Sequence, residues 1–394
     1  MRQFYAAWLL VLTVMPSYDA LSLEPEKYLK EGLVQLYNLE YAQARASFRK
    51  VVEVEPDNPF GYLFEAGAIW WQAANEYSLF QDTPTLQGLF EQDIEAAIRK
   101  ADPLTDSRQK EIRADGHFIM GMALGTRGQW ALLRGHWVKA YFDGKKGVKH
   151  LKKCLKNDPQ YHDAYLGLGV YDYEAAHLGG ILKLAGSLVG VRGDEQRGIE
   201  RLKLAMEKGR YGSRQAAQFL SSIYIVDLRD AKLALPIIQK LRYDFPESLY
   251  FQFVELVLLH SLGARDGSLL LGRQIFQKAR LDPNAFNRKL LSLVCGLGAG
   301  KCLEPSHAEA SLAWFDYAIS HAGVRPDKNW LSTARLLRAY AHDILGKKDQ
   351  AAQDYRWVLK APAFSDNRQR AWDCLSASCN APALLNYLKT KSKS

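Results

Sequence analysis

Residues 163–180, DAYLGLGVYDYEAAHLGG, come nearest to a chemical site in type and spacing. On a helix Tyr165, Gly169, Tyr173 and His177 form one stripe, with Leu168, Asp172 and Ala176 running beside it. Phenol, carboxylate and imidazole are groups of general acid–base chemistry, which needs them fixed in pairs. The spacing does not fix them. Glu174 falls on the other side of the helix from Asp172, and His177 has no acidic partner set by the sequence. No HExxH or GxSxG arrangement occurs in the chain, so no catalytic residues are assigned. The same groups suit a milder task. Tyr165, Asp172, Tyr173 and His177 are expected to hold a protein or extended peptide by stacking and hydrogen bonding. The competing reading is helix packing, with Gly169 at a small contact position and the tyrosines as core fillers.

Other chemical signals are weaker. The glycine-rich segment 296–302, GLGAGKC, is one residue short of a phosphate-binding loop and has Cys302 where Ser or Thr would ligand magnesium. It reads as a turn, and no cofactor is expected. His117, His136, His260, His307, His321 and His342 are scattered singly, and no pair has ligand spacing on one helix face, so no metal is expected. Of five cysteines, Cys374 with Cys379 and Cys295 with Cys302 are spaced to close short disulfide loops, which leaves Cys154 free in a helix. The alternative is that all five are small buried hydrophobes.

Charge gathers in KKGVKHLKKCLKNDP. Lys145, Lys149, Lys152 and Lys156 share a helical face, with Lys146, His150 and Lys153 beside it and Val148, Leu151 and Leu155 pointing inward. Arg197, Arg201 and Lys208 mark a later helix. These residues read as a solvated face or as a convex basic ridge for anionic lipid, lipopolysaccharide or an acidic partner. Nucleic acid fits poorly because aromatic residues are not interleaved with the charges. Segment 178–192 is apolar up to Arg192 apart from Lys183, and is expected to pack against the array, to cover a groove, or to touch a membrane surface.

These groups must be positioned by a chain of 394 residues, too long for one growing core. It is 48% hydrophobic and 24% charged, the composition of a folded protein, with a net charge of +9. Arg2, the apolar run 4–15 and small residues at 20–22 form an expected cleavable signal peptide over residues 1–22. The apolar run is shorter than the ~20 residues of a bilayer span. The expectation is therefore an exported protein, periplasmic or secreted.

A repeat organises the remainder. A small residue, an apolar residue four later and a proline eight after that recur as Ala44–Phe48–Pro56, Gly147–Leu151–Pro159 and Ala234–Ile238–Pro246. Leu271–Ile275–Pro283 follows with a large first residue, and Ala351–Tyr355 is followed by Pro362 one residue early. The small residue lets two antiparallel helices approach, the apolar one fills the gap, and the proline stops the helix. Tyr165, Leu168 and Gly169, and less completely Tyr28 and Gly32, supply the complementary first-helix pattern. With these motifs the chain resembles the tetratricopeptide repeat (TPR) family over most of residues 25–361. A fainter likeness links LKLAGSLVGVRGDEQRGIERL to the central region of TPR proteins of the inclusion-body-clearance type.

The resemblance implies an all-α, right-handed superhelical solenoid of about eight helix pairs, at 25–56, 59–101, 107–157, 161–209, 213–245, 248–282, 285–322 and 329–361. The third pair is expected to carry an extended linker within GMALGTRGQWALLRGHWVKAYFDG. The domains are then 1–22 signal, 23–158 first pairs, 159–246 central pairs with the insertion 178–192, 247–361 later pairs, and 362–394 capping helices and basic tail. In TPR arrays the first helices line a concave groove. The implied function is a scaffold or adaptor that binds a protein or peptide there without catalysis. The alternative is an envelope-associated factor that uses the basic ridge and the insertion.

Overall fold

Several helices of this chain stop two residues before a proline, while Pro25 and Pro236 lie within helices. A computed structural model describes residues 18–76, 84–177, 193–264, 328–362 and 366–377, with single positions between 267 and 320. Every regular element among the described residues is helical. The first helix of each pair is α1 (Tyr18–Tyr37), α3 (Pro59–Glu76), α5 (Lys110–Leu133), α7 (Ala164–Ala176) and α9 (Ser213–Ser222, extended by a π-helical turn Ile223–Asp227). The second is α2 (Tyr41–Val54), α4 (Pro84–Ala101), α6 (Trp137–Asn157), α8 (Glu195–Lys208) and α10 (Ala231–Asp244). Then come α11 (Leu249–Ser261), α12 (Lys328–Ile344) with α13 (Lys348–Lys360), and α14 (Asn367–Ala377). α2, α6, α10 and α13 end at Val54, Asn157, Asp244 and Lys360, each two residues before Pro56, Pro159, Pro246 or Pro362. α1 begins at Tyr18, so the expected cleavage point lies in its first turns. Residues 1–17, the insertion 178–192 and the segment 296–302 lie outside the described residues.

Within a pair, small residues set the seam. A Cβ on Gly32 of α1 would run into the Phe48 ring of α2, and one on Gly169 of α7 would lie 2.9 Å from Leu202 Cγ of α8. In the third pair, a Cβ on Gly121 of α5 would lie 2.7 Å from the Leu151 side chain, and one on Gly147 of α6 would lie 2.9 Å from the Gly121 carbonyl oxygen. The extended linker expected here is not present. α5 and α6 run 24 and 21 residues and are joined by three residues, 134–136, with Gly135 at φ +79°. Of the glycines in that stretch, Gly121 and Gly128 are contact points between two long helices, Gly125 and Gly144 face open space, and Gly135 serves the turn.

Arginine–carboxylate clasps join several of the helices. Arg49 of α2 meets Glu65 of α3 at 2.5 Å, and Arg242 of α10 meets Glu255 of α11 at 2.9 Å. Arg127 of α5 grips Asp143 of α6 with two bonds of 2.8 and 2.7 Å, and Arg338 of α12 does the same to Asp354 of α13 at 2.6 and 2.8 Å. All four carboxylates are buried. Such pairs add little net stability over apolar packing, but losing one member strands a buried charge. Between the fourth and fifth pairs, buried Asp163 accepts backbone N–H groups of Arg210, Tyr211 and Gly212 at 2.9, 2.9 and 2.6 Å.

Successive first helices also touch one another, α1 to α3 to α5 to α7 to α9, and form an inner layer. The array curls until its beginning meets its middle. Tyr37 of α1 packs on Phe245 with ring centroids 4.9 Å apart, and Leu33 joins the cluster of Ala217 and Leu220 in α9. Tyr211 stands between Phe60 and Phe64 of α3, 5.7 Å from each ring, and Glu26 of α1 is ion-paired with Arg210.

Candidate functional site

Asp172, expected to face a partner, is buried between α7 and α8. Arg197 Nε and Nη2 donate to its two carboxylate oxygens at 2.8 Å each, and Arg201 pairs with the same group. The Asp172 carbonyl accepts the Asp194 N–H at 3.0 Å, while the Asp194 side chain caps α8 through the Arg197 N–H at 2.9 Å. Arg197 and Arg201 read in the sequence as part of a solvated face or of a convex basic ridge. They turn toward α7, because a buried carboxylate one helix away needs its charge matched.

Tyr173 is also buried, and its hydroxyl donates to Asp227 Oδ2 at 2.8 Å, tying α7 to the π-helical turn that follows α9. Burial, then the Asp227 carboxylate, raises the phenol well above its ordinary range. His177 ends α7 on the surface. Its ring stacks on Tyr173 at 4.3 Å, and Nδ1 lies 2.9 Å from the Tyr173 carbonyl. A carbonyl only accepts, so Nδ1 carries the hydrogen, and Nε2 faces Glu195 at 3.6 Å. Tyr165 is half-buried beside His162, with ring centroids 6.3 Å apart. The stripe is therefore brought together, but Asp172 and Tyr173 hold the pair in register, while Tyr165 and His177 keep exposed surface.

The inner layer carries a different set of groups. Trp70 and Trp71 of α3, Thr126 and Gln129 of α5, and Gln215 and Phe219 of α9 are all half-buried and line one recess. The two indoles meet edge to face at 5.2 Å. Tyr37, Phe64 and Tyr211 line the same recess, which has a volume of about 70 Å³ within this rim of six side chains. A few water molecules fit there and a peptide does not. What is offered to a partner is the rim: flat aromatic surface for stacking, and amides that both donate and accept. The sequence gives a local hint in the adjacent tryptophans. Their meeting with Gln129 and Gln215 depends on the packing of first helices far apart in the chain.

Lys145, Lys149, Lys152 and Lys156 of α6 are all exposed, as are Lys146 and Lys153. Lys145 lies 5.7 Å over the Tyr141 ring and 3.3 Å from its hydroxyl. Among the described residues, no carboxylate is ion-paired with Lys149, Lys152 or Lys156. On the inner side of α6, His150 meets His117 of α5, their Nδ1 atoms 3.2 Å apart. His117, read singly in the sequence, and His150, read beside the lysine face, form a pair across the seam. Burial first, then the neighbouring ring and Lys153, pushes His150 down to about 4. No cluster of three or more metal-ligating side chains occurs among the described residues. Cys154 is free and buried, with its thiol raised by burial, whereas Cys374 is disulfide-bonded. Cys295, Cys302 and Cys379 lie outside the described residues.

No protein-family profile matches the chain, and no curated protein matches it. Solved structures do. TTC0263, a thermophilic TPR protein of Thermus thermophilus, aligns with 60% of this chain and 98% of its own at 18% identity and a TM-score of 0.35. The TPR domain of P58(IPK) covers 92% of this chain and 98% of its own, at 17% identity and a TM-score of 0.25. Yeast Tom70 covers 95% of this chain and 83% of its own, at 13% identity and a TM-score of 0.31. The protein is a TPR-like helical repeat. That statement is carried by its own seams, stops and stacked first helices rather than by these loose alignments.

Proposed function

We propose that the protein is an exported scaffold that binds a protein or peptide along the inner face of its first helices, with no chemistry of its own. The observation that supports this most is the rim of Trp70, Trp71, Thr126, Gln129, Gln215 and Phe219, where three first helices present aromatic and amide groups side by side. Backbone amides and apolar side chains of an extended segment match that chemistry, and no charge complementarity is needed. Tyr165 and His177, which keep exposed surface on α7 and at its end, are proposed as further contacts for the partner. Export rests on the basic and apolar start of the sequence and the small residues at 20–22.

The test is to recover the full chain from its native cells beside a Gln129→Ala, Gln215→Ala variant. Both side chains are half-buried and outside the apolar core, so the melting temperature should stay put. A protein that accompanies the wild type and is lost from the variant supports the reading. The same companions on both would remove the inner face as the binding surface.

A further inference from the structure

The turn between α5 and α6 is built unlike the rest of the surface. Leu132 and Leu133 at the end of α5 are 40% and 43% exposed, and Trp137, Val138 and Phe142 at the start of α6 are 52%, 71% and 54% exposed. Five large apolar side chains thus surround a three-residue turn. Exposed hydrophobic residues scattered singly need no explanation, but a cluster at one tip marks a contact surface. Tyr141 packs edge to face on Phe142 at 5.1 Å, which extends the patch by another ring.

Within the α5–α6 segment the exposed charge is of one sign, the nearest acid from a neighbouring helix, Glu95 of α4, being paired with Arg127. Between residues 116 and 157 the sequence holds a single carboxylate, Asp143, and it is buried in the grip of Arg127. Over the same stretch Arg134, Lys139, Lys145, Lys146, Lys149, Lys152, Lys153 and Lys156 are exposed. Along α6 the apolar side chains come first and the lysines follow. Lys145 and Lys146 sit about 11 Å up the helix from Val138, at 1.5 Å per residue. An interfacial segment immerses its apolar groups by roughly 5–10 Å, with basic residues at the level of the lipid headgroups.

We propose that the α5–α6 tip is a membrane-docking element that enters the interface of an anionic phospholipid bilayer. Trp137, Val138 and Phe142 are the immersed groups. Arg134, Lys139, Lys145 and Lys146 meet the phosphates, and the lysines farther along α6 add longer-range attraction. The inner-face rim is left free, so the proposal stands independently of the protein-binding reading and would locate that scaffold at a membrane surface.

The experiment is cosedimentation of the full chain with vesicles of phosphatidylcholine alone, or of phosphatidylcholine and phosphatidylglycerol in equal parts. Binding is expected to the mixed vesicles only, and to weaken as salt is raised. A Val138→Asp, Phe142→Asp variant is expected to lower the partition coefficient roughly tenfold or more. A Lys145→Glu, Lys149→Glu variant should lose the preference for anionic vesicles. All four side chains are exposed, so each melting curve should overlay the wild type; if the aspartates disturb it, Phe142→Ser alone is read in the same assay. Failure of the full chain to bind mixed vesicles overturns the proposal, as does undiminished binding by the tip variants. Wild-type self-association that disappears in the aspartate variant, with no vesicle binding by either, would assign the tip to a second copy of the chain instead.

Discussion

Replacing Gly169 tests the seam on which the array depends. In an open helix, Gly→Ala stabilises by about 1 kcal/mol, because alanine surrenders less backbone entropy. At Gly169 the new Cβ would lie 2.9 Å from Leu202 Cγ, 3.0 Å from the Gly198 carbonyl oxygen and 3.1 Å from the Leu202 nitrogen. Two of those three atoms are backbone, so no rotamer change relieves the contact, and α7 and α8 must separate. Overpacking of this kind costs about 1–3 kcal/mol, which cancels or outweighs the propensity gain for alanine. Leucine must place three further carbons in the same gap, so Gly169→Leu belongs at the top of that range or above it. A loss of about 3 kcal/mol corresponds to a fall in melting temperature of roughly 6–12 °C for a unit of 150–250 residues. Gly125 of α5 is the internal control, since nothing lies within 4 Å of its built Cβ. Thermal melts followed by far-ultraviolet circular dichroism should rank Gly125→Ala above wild type and Gly169→Ala at or below it, with Gly169→Leu lowest. A Gly169→Leu melt that overlays the wild type would refute the close approach of these helices.

Two further substitutions probe buried carboxylates. Burial, and then Glu65 beside it, pushes Asp93 from its ordinary value of 3.8 up to about 7, against the pull of Arg49 and Arg45. The folded state therefore binds a proton more readily than the unfolded one, and this contribution to stability is lost as pH rises from about 4 through 7. Asp93→Asn should be more stable than wild type at pH above 7 and show no such advantage near pH 4; denaturant melts at both pH values check it, and an advantage equal at the two would contradict it. Asp163→Ala removes the acceptor of three backbone N–H donors at the turn before α9, of which that of Gly212 is buried, and is expected to cost about 1–3 kcal/mol. Hydrogen exchange should show the loosening first at residues 210–212, and protection unchanged there would disprove the role.

What was legible in the sequence is what is local. Pro56, Pro159, Pro246 and Pro362 sit two residues beyond their helices because a proline ring cannot continue a helix interior, and that rule needs no tertiary information. The small and large residues four apart were legible for the same reason. Gly121 and Gly128 misled because glycine serves turns and close helix contacts alike, and only the partner helix distinguishes the two. The fate of Asp172 was hidden because Arg197, which claims it, lies 25 residues away on the next helix. His117 and His150 are 33 apart and meet only because α5 and α6 are long and closely packed. The curl that brings Tyr37 onto Phe245 accumulates over several pairs, and no local spacing encodes it.

That the inner rim is where a partner binds is tested most directly by photocrosslinking in the native cell. A photoreactive residue is placed at Gln129 in one strain and at Lys152, on the exposed face of α6, in another. A discrete protein adduct at Gln129 that is absent at Lys152 is the predicted result. Protein adducts at Lys152 with none at Gln129 would contradict it, and would move the binding surface to the outer face.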